Sequence, residues 1–84
     1  MNIFRKNTIR IHLGGHLAFY HPQKQSWLDH ELQHSVPLCQ VIEQLGIPTA
    51  EIAFSIVNDK MADLENTVVN ENDTVQFYPP IDVG

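Results

Sequence analysis

The sequence contains one H-E-x-x-H motif, His-Glu-Leu-Gln-His, a combination of residue types and spacing that could bind zinc. In metalloproteases the two histidines of this motif share one face of a helix and bind the metal, and the glutamate acts as general base. In this chain the ligands would be His30 and His34, with Glu31 as the base. A third ligand would come from His16 or His21. The chemistry requires a helix, because the two histidines must reach the same metal ion.

The flanking residues favour a strand over residues 27–34. Pro22 lies upstream and Pro37 begins the next element, which leaves about two helical turns, and isolated helices of that length are marginal. In a strand that rises roughly 3.3 Å per residue, His30 and His34 are about 13 Å apart. Zinc–nitrogen bonds are about 2.0–2.1 Å long, so one ion could not reach both side chains. We therefore expect surface histidines and no metal site, and a zinc-binding hydrolase is the alternative if this segment is helical.

Length and charge limit the classes of protein to which this chain can belong. Its 84 residues suffice for one domain, 1–84, and carry a formal charge of −5. The acidic excess argues against a nucleic-acid partner, because affinity for phosphate backbones depends on clustered positive charge. No apolar stretch is long enough for a transmembrane helix or a signal peptide, so we expect a cytoplasmic protein with no membrane partner. Cys39 is the only cysteine, which excludes an intramolecular disulfide.

Hydrophobic periodicity predicts one clear helix, over residues 37–46. Pro37 suits its first turn, and Gly46 suits a left-handed C-terminal end that Pro48 then prevents from continuing. Apolar residues recur at i, i+3, i+4 and i+7, which indicates one buried face. That apolar stripe consists of Leu38, Val41, Ile42 and Leu45.

Strands are predicted on both sides of the helix. Residues 8–13 alternate apolar and polar side chains, residues 51–57 are strand-like, and residues 75–78 alternate again. Asn58-Asp59 is a two-residue hairpin signal. The connection 14–25 is irregular, and we expect its apolar residues to fold back onto the core.

With a strand at 27–34, this order of elements predicts an α+β domain. An opening hairpin, a crossing helix and further strands form the ubiquitin-like β-grasp, a mixed four- to five-stranded sheet with one main helix packed across it. Residues 79–84 would be a projecting C-terminal tail, because Pro79-Pro80 ends the last strand. Besides the helix stripe, we expect the core to contain Ile9, Ile11, Leu13, Leu28, Leu32, Ile52, Phe54, Ile56, Val69, Val75 and Phe77.

Four short motifs resemble those of small β-grasp sulfur carriers. They are Leu-Gly-Ile-Pro after the helix, Val-Asn-Asp at the hairpin, Asn-Glu-Asn-Asp-Thr-Val before the last strand, and Phe-Tyr-Pro-Pro-Ile-Asp-Val-Gly at the tail. In order and spacing they cover roughly residues 37–84. The sequence is thus similar to the MoaD/ThiS-type family, which includes the small subunit of molybdopterin synthase and the sulfur carrier of the thiamine pathway.

Three positions depart from that family's pattern. Asp59 and Asn72 stand where the family has glycine. Asn and Asp tolerate positive φ better than other non-glycine residues, so we expect both turns to be kept. Val83 replaces the penultimate glycine of the tail, so only Gly84 remains. A stiff, β-branched residue at that point could slow activation or select a particular partner.

The resemblance implies a carrier protein and not an enzyme. In such carriers a ThiF/MoeB-like adenylating enzyme, which holds the ATP, converts the terminal carboxylate to an acyl-adenylate. Sulfur transfer then makes a thiocarboxylate for molybdopterin-like, tungstopterin-like or thiamine-like biosynthesis. In this chain the reacting group would be the carboxylate of Gly84, and no cofactor would be bound stably. The adenylating enzyme, or a large synthase subunit, would contact Tyr78, Pro79, Pro80, Ile81 and Val83.

The alternative is a β-grasp interaction module that is not thiolated. Such a module would bind another protein through its sheet, and its tail would carry no sulfur. A tail that ends Val-Gly instead of Gly-Gly favours this second interpretation.

Overall fold

A computed structural model describes residues 7–80 of the chain. The strands are β1 (Thr8–Leu13), β2 (Trp27–Glu31), β3 (Val36–Pro37), β4 (Phe54–Val57), β5 (Lys60–Ala62), β6 (Val68–Val69) and β7 (Thr74–Tyr78). The helices are the 3₁₀ helix η1 (Gly15–Tyr20), the α-helix α1 (Leu38–Leu45) and the 3₁₀ helix η2 (Thr49–Glu51).

The main sheet has five strands in the order β2-β1-β7-β4-β5. β1 pairs antiparallel with β2 and parallel with β7, and β4 lies antiparallel to both β7 and β5. A short antiparallel pair of β3 and β6 accompanies it. This mixed sheet with one main helix is the predicted β-grasp, so the predicted fold class is confirmed.

The predicted helix and its ends are confirmed to within a residue. α1 begins after Pro37, whose extended backbone (φ −61°, ψ 147°) makes it the N-terminal cap. It ends at Gly46, whose φ of +76° is the left-handed conformation that glycine adopts without steric cost. In the apolar stripe, Leu38, Val41 and Ile42 are fully buried. Leu45 is partly buried.

Both turns in which glycine is replaced adopt positive φ, as predicted. Asn58 and Asp59 have φ of +51° and +72°, which suits the tight hairpin between β4 and β5. Asn72 has φ of +72° before β7. Asn58 also accepts a hydrogen bond from the Thr74 amide at 3.0 Å, and its own amide donates to Asp73 at 2.9 Å. The two turns are therefore tied to each other.

The side chains of β4 that face the core are not the predicted ones. Phe54 and Ile56 were expected in the core, but Ser55 is the buried residue, at 1% exposure, and Val57 packs against the core beside it. The antiparallel register with β7 requires this, because Ser55 lies opposite the buried Phe77. Phe54 and Ile56 therefore lie on the opposite face of the sheet.

The rest of the predicted core is confirmed, with Leu28 and Ile52 only partly buried against it. The core also contains residues that were not predicted, namely Leu17, Val36 and Ile47.

The segments 14–25 and 27–34 are each more varied than predicted. In the first, Leu17 does fold back onto the core, but it does so within η1, and Phe19 stays 67% exposed. In the second, the predicted strand is confirmed only as far as Glu31. The chain then bends at Gln33 and His34 so that Val36 can pair with Val69.

Candidate functional site

The sheet face opposite α1 carries large side chains. Strand alternation sends Ile9, Ile11 and Val75 toward the helix and the side chains between them to the other side. We call that other side the outer face. Trp27 is 47% exposed there and Met61 is 70% exposed. The outer face comprises Arg10, His12, Trp27, Asp29, Phe54, Ile56, Met61, Gln76 and Tyr78.

Four rings form a continuous aromatic band across this face. The ring centroids of Trp27 and His12 are 4.7 Å apart, and those of His12 and Tyr78 are 5.8 Å apart. Tyr78 then stacks on Phe54 at 4.9 Å with an interplanar angle of 20°. The strand register causes the band, since Trp27 lies opposite His12 and Phe54 lies opposite Tyr78. Aromatic pairs at these distances stabilise beyond their buried area by about 0.5–1.5 kcal/mol.

A charged pair borders the band on its β2 side. The guanidinium of Arg10 lies 5.9 Å from the centroid of the Trp27 ring, and its Nε is 3.8 Å from the carboxylate of Asp29. Both charged side chains are about two-thirds exposed, so this ion pair adds little to stability. Its contribution to the site is to place one charge of each sign beside an exposed aromatic ring.

Tyr78 joins the aromatic band to the predicted tail. Its hydroxyl donates to Gln76, and its carbonyl accepts a hydrogen bond from the Ala53 amide at 2.8 Å. Pro79 and Pro80 follow, and neither has an amide hydrogen with which to continue the ladder. Of the five predicted partner-contact residues, Tyr78, Pro79 and Pro80 are therefore placed together at the end of β7. Ile81, Val83 and the predicted reactive residue Gly84 lie outside the described residues.

The connection after β1 packs directly against this point. The Gly14 amide donates to the Phe77 carbonyl at 2.9 Å. A Cβ atom added to Gly14 would be 2.6 Å from the Tyr78 ring, and one added to Gly15 would be 2.9 Å from the Pro79 ring. Both distances are far shorter than the roughly 3.5–4.0 Å of ordinary carbon contacts. Glycine suits both positions because any side chain there would press against these rings.

Three side chains connect η1 to η2. His16 Nε2 donates to Glu51 Oε1 at 2.8 Å, and the Tyr20 hydroxyl donates to the other oxygen of the same carboxylate. The hydrogen bond from Tyr20, followed by that from His16, holds the pKa of Glu51 below its ordinary value of 4.5. The same bond to Glu51 raises the pKa of the Tyr20 hydroxyl above its ordinary value of 10.0. We call His16, Tyr20 and Glu51 the clasp.

The histidines of the H-E-x-x-H motif turn to different partners. His30 Nε2 donates to the side-chain oxygen of Gln44 on α1 at 2.7 Å, whereas His34 Nδ1 lies 3.1 Å from the Ser35 carbonyl. His30 belongs to β2 and His34 to the bend that follows, so the helix that the zinc chemistry requires is absent from residues 30–34. Across residues 7–80, no group of three or more His, Cys, Asp or Glu side chains could hold a metal ion.

Sequence reasoning identified Tyr78 but missed the other three rings of the band. The alternation of Ile9 and Ile11 with Arg10 and His12 does show which residues of β1 leave the core. The partner of His12 follows only from the register of the β1–β2 hairpin, and the loop 14–26 that sets this register has no recognisable turn pattern.

The fold and the face described above define a ubiquitin-like β-grasp domain. Comparison with known families gives its place within that class: residues 7–82 match the Mut7-C ubiquitin family, and the chain belongs to it. The match includes residues 7–36, which lie outside the four motifs of the sequence analysis. It is consistent with the resemblance to sulfur carriers. A search of curated proteins found no match. Among residues 7–80, no helix is both long enough and apolar enough to cross a membrane.

Proposed function

We propose that this chain is a sulfur carrier that docks on a partner protein through its outer face and presents the carboxylate of Gly84 to it. One observation carries the proposal: Tyr78 belongs to the aromatic band and also immediately precedes Pro79-Pro80. A partner seated on the band therefore lies next to the point where the chain leaves β7. Docking and delivery of the tail become a single event.

The chemistry follows from the resemblance to sulfur carriers. A carboxylate oxygen of Gly84 attacks the α-phosphorus of ATP held by a ThiF/MoeB-like adenylating enzyme, and pyrophosphate leaves. A sulfur donor at the sulfide level then displaces AMP, which takes one carboxylate oxygen with it. The carrier thereby exchanges one oxygen for sulfur and becomes a thiocarboxylate, whose sulfur a large synthase subunit or a similar acceptor consumes. The carrier supplies recognition and the acyl group, and the partners supply ATP and sulfur.

The outer face has the composition that protein interfaces use. Buried aromatic side chains dominate interface energetics, and loss of one in a hot spot costs about 2 kcal/mol or more. That corresponds to a dissociation constant roughly thirty times larger. Trp27 is the sharpest probe because it is half-exposed and its truncation removes little from the core. Val68 is the matched control, because it is 53% exposed and lies on β6, away from the outer face.

Docking is tested by titrating the chain against an adenylating enzyme in a calorimeter. Trp27→Ala and Tyr78→Ala are expected to weaken binding roughly thirtyfold, and Val68→Ala is expected to leave it unchanged. Circular dichroism melts of each variant show whether the fold is intact. Equal binding by parent, Trp27→Ala and Tyr78→Ala, all folded, would remove the outer face from the proposal.

Thiolation is tested by intact mass after incubation with the adenylating enzyme, ATP and a sulfur donor. The parent is expected to gain the mass of one oxygen exchanged for sulfur. A chain with one residue added after Gly84 is expected to gain nothing, because the activated carbon would no longer be a glycine carboxyl. Val83→Gly is expected to load at least as well as the parent, since it removes the β-branched side chain beside the reacting carbon.

A second candidate function is the interaction module that is not thiolated, which Val83 in place of glycine favours. It uses the same outer face, so the binding titration does not separate the two candidates. The mass measurement does: no gain in the parent with a clear gain in Val83→Gly would assign the chain to this second function.

A further inference from the structure

The segment 14–25 has no counterpart in the motifs shared with sulfur carriers, yet it is firmly anchored. Leu17 is fully buried in the core, and the Gly14 amide bonds to the last strand at Phe77. Lys24, at φ +59°, reaches back to donate to the Phe19 carbonyl at 3.3 Å. The buried leucine and the two close glycine contacts fix this segment against the end of β7.

The end of β7 is held from both sides by segments outside the sheet. On the β1 side, Gly14 bonds to the Phe77 carbonyl and Gly15 lies against the Pro79 ring. On the β4 side, the Ala53 amide bonds to the Tyr78 carbonyl. The segment that contains Gly14 leads into η1, and the segment that contains Ala53 follows η2. The clasp joins these two helices, through residues 31 to 35 positions apart in the sequence.

The two residues after Tyr78 cannot donate hydrogen bonds to a neighbouring strand. Pro79 and Pro80 have no amide hydrogen, and their fixed φ transmits the orientation of the preceding residue. The orientation of this segment therefore depends more on packing, and Pro79 packs beside Gly15. The position of Gly15 depends in turn on how η1 is held.

We propose that the clasp of His16, Tyr20 and Glu51 positions the exit of the tail by locking η1 and η2 together around the end of β7. Glu51 is the central residue, because its two carboxylate oxygens each accept one hydrogen bond from η1. Hydrogen bonds to an ionised acceptor are stronger than neutral ones, and the partial exposure of His16 and Glu51, 51% and 33%, reduces that strength here. These are positioning residues and not catalytic ones: they act through Gly15 and Pro79. This assignment rests on the proposed carrier function only for the role of the tail. The positioning of Pro79 by the clasp does not depend on it.

The structural test needs no partner protein. Glu51→Ala removes both hydrogen bonds of the clasp, Tyr20→Phe removes one, and Glu43→Ala is the control, since Glu43 is an exposed acid on α1. Amide hydrogen exchange of Gly14 and Ala53 reports on the two bonds that hold the end of β7. In Glu51→Ala both amides are expected to exchange about tenfold faster, while Ile11 and Val75 keep the parent rate. Nuclear Overhauser contacts between Gly15 and the Pro79 ring should weaken in the same variant.

The outcomes separate local from global effects. Selective acceleration at Gly14 and Ala53, with a smaller effect in Tyr20→Phe and none in Glu43→Ala, supports the clasp. Unchanged exchange in Glu51→Ala overturns the assignment, and so does equal acceleration at Ile11 and Val75, which would show general destabilisation.

With an adenylating enzyme that loads the parent, Glu51→Ala is expected to lower kcat for loading several-fold at unchanged KM, because docking on the outer face is untouched. If the parent does not load, the carrier function fails, while exchange and Gly15–Pro79 contacts still decide the clasp.

Discussion

Gly14 offers a quantitative test of how closely η1 approaches the end of β7. Its backbone (φ −77°, ψ 154°) is one that alanine adopts without strain, so Gly14→Ala should not suffer conformationally. Loss of glycine would even stabilise by about 0.4–1 kcal/mol, because the unfolded chain becomes less flexible. The opposing effect is steric. The new Cβ would lie 2.6 Å from Tyr78 Cδ1, about 1 Å closer than carbon atoms approach.

The Tyr78 ring has little freedom to move away. It is stacked on Phe54 at 4.9 Å and its hydroxyl is bonded to Gln76. Overpacking a restrained site costs typically about 1–3 kcal/mol. Subtracting the gain from the unfolded state, we expect Gly14→Ala to lower the free energy of unfolding by about 1.3 kcal/mol, within a range of about 0–2.6 kcal/mol.

A double-mutant cycle isolates the contact between the two residues. In a Tyr78→Ala background the ring is gone, and the closest remaining atom is the Phe77 carbonyl oxygen at 3.1 Å. There the gain from the unfolded state remains and the clash with the ring is gone, so Gly14→Ala should be neutral or stabilise by up to about 1 kcal/mol. The coupling energy then equals the steric cost, about 1–3 kcal/mol. Urea unfolding of the four proteins, followed by circular dichroism, gives all the terms. An equal cost of Gly14→Ala in both backgrounds would refute the close approach and the tail-exit geometry built on it.

Three further predictions concern the helix end, the histidines and the clasp. Gly46→Ala has open space around its new Cβ but keeps φ +76°, so strain alone should cost about 1–2 kcal/mol in urea unfolding; a cost near zero would mean that α1 ends differently. Untagged protein should hold no stoichiometric zinc by metal analysis, and a chelator should leave its melting temperature unchanged, because His30 and His34 have separate partners; one tightly held zinc per chain would contradict this. The folded pKa of Glu51 is lowered, so its stabilisation is present above pH 4.5 and is lost as pH falls through the folded pKa. The pKa of Tyr20 is raised, so the stabilisation from its hydrogen bond is present below pH 10.0 and is lost as pH rises through the folded pKa. The stability difference between parent and Tyr20→Phe should thus shrink as pH falls below about 4.5 and again as pH rises above about 10; an unchanged difference at either end would contradict the assignment.

Elements fixed by short-range rules were predictable from the sequence. The stripe of α1, its Gly46 end and the Asn58-Asp59 turn each depend on residues within a few positions of one another, and the structure confirms them. The clasp was not predictable for the opposite reason. Its hydrogen bonds join η1 to Glu51, and β2, β3 and the whole of α1 lie between them in the sequence. Neither segment has a periodicity that indicates these bonds. Clustered histidines suggested a metal, whereas His16 is a hydrogen-bond donor to a carboxylate.

The strand β4 shows why the outer face could not be read from hydrophobicity alone. Of its four residues, only Ser55 is polar, so alternation assigns Phe54 and Ile56 to the core. The pairing with β7 overrides that choice, because Val75 and Phe77 are fixed toward the helix and their partners on β4 must share that side. Burial of a serine is the cost, and the gain is a phenylalanine and an isoleucine on the solvent side of the sheet. A strand that is apolar on both faces is expected where both faces make contacts. One face of β4 already packs against the hydrophobic core, and the placement of Phe54 beside Tyr78 on the other face supports the proposal that a partner docks there.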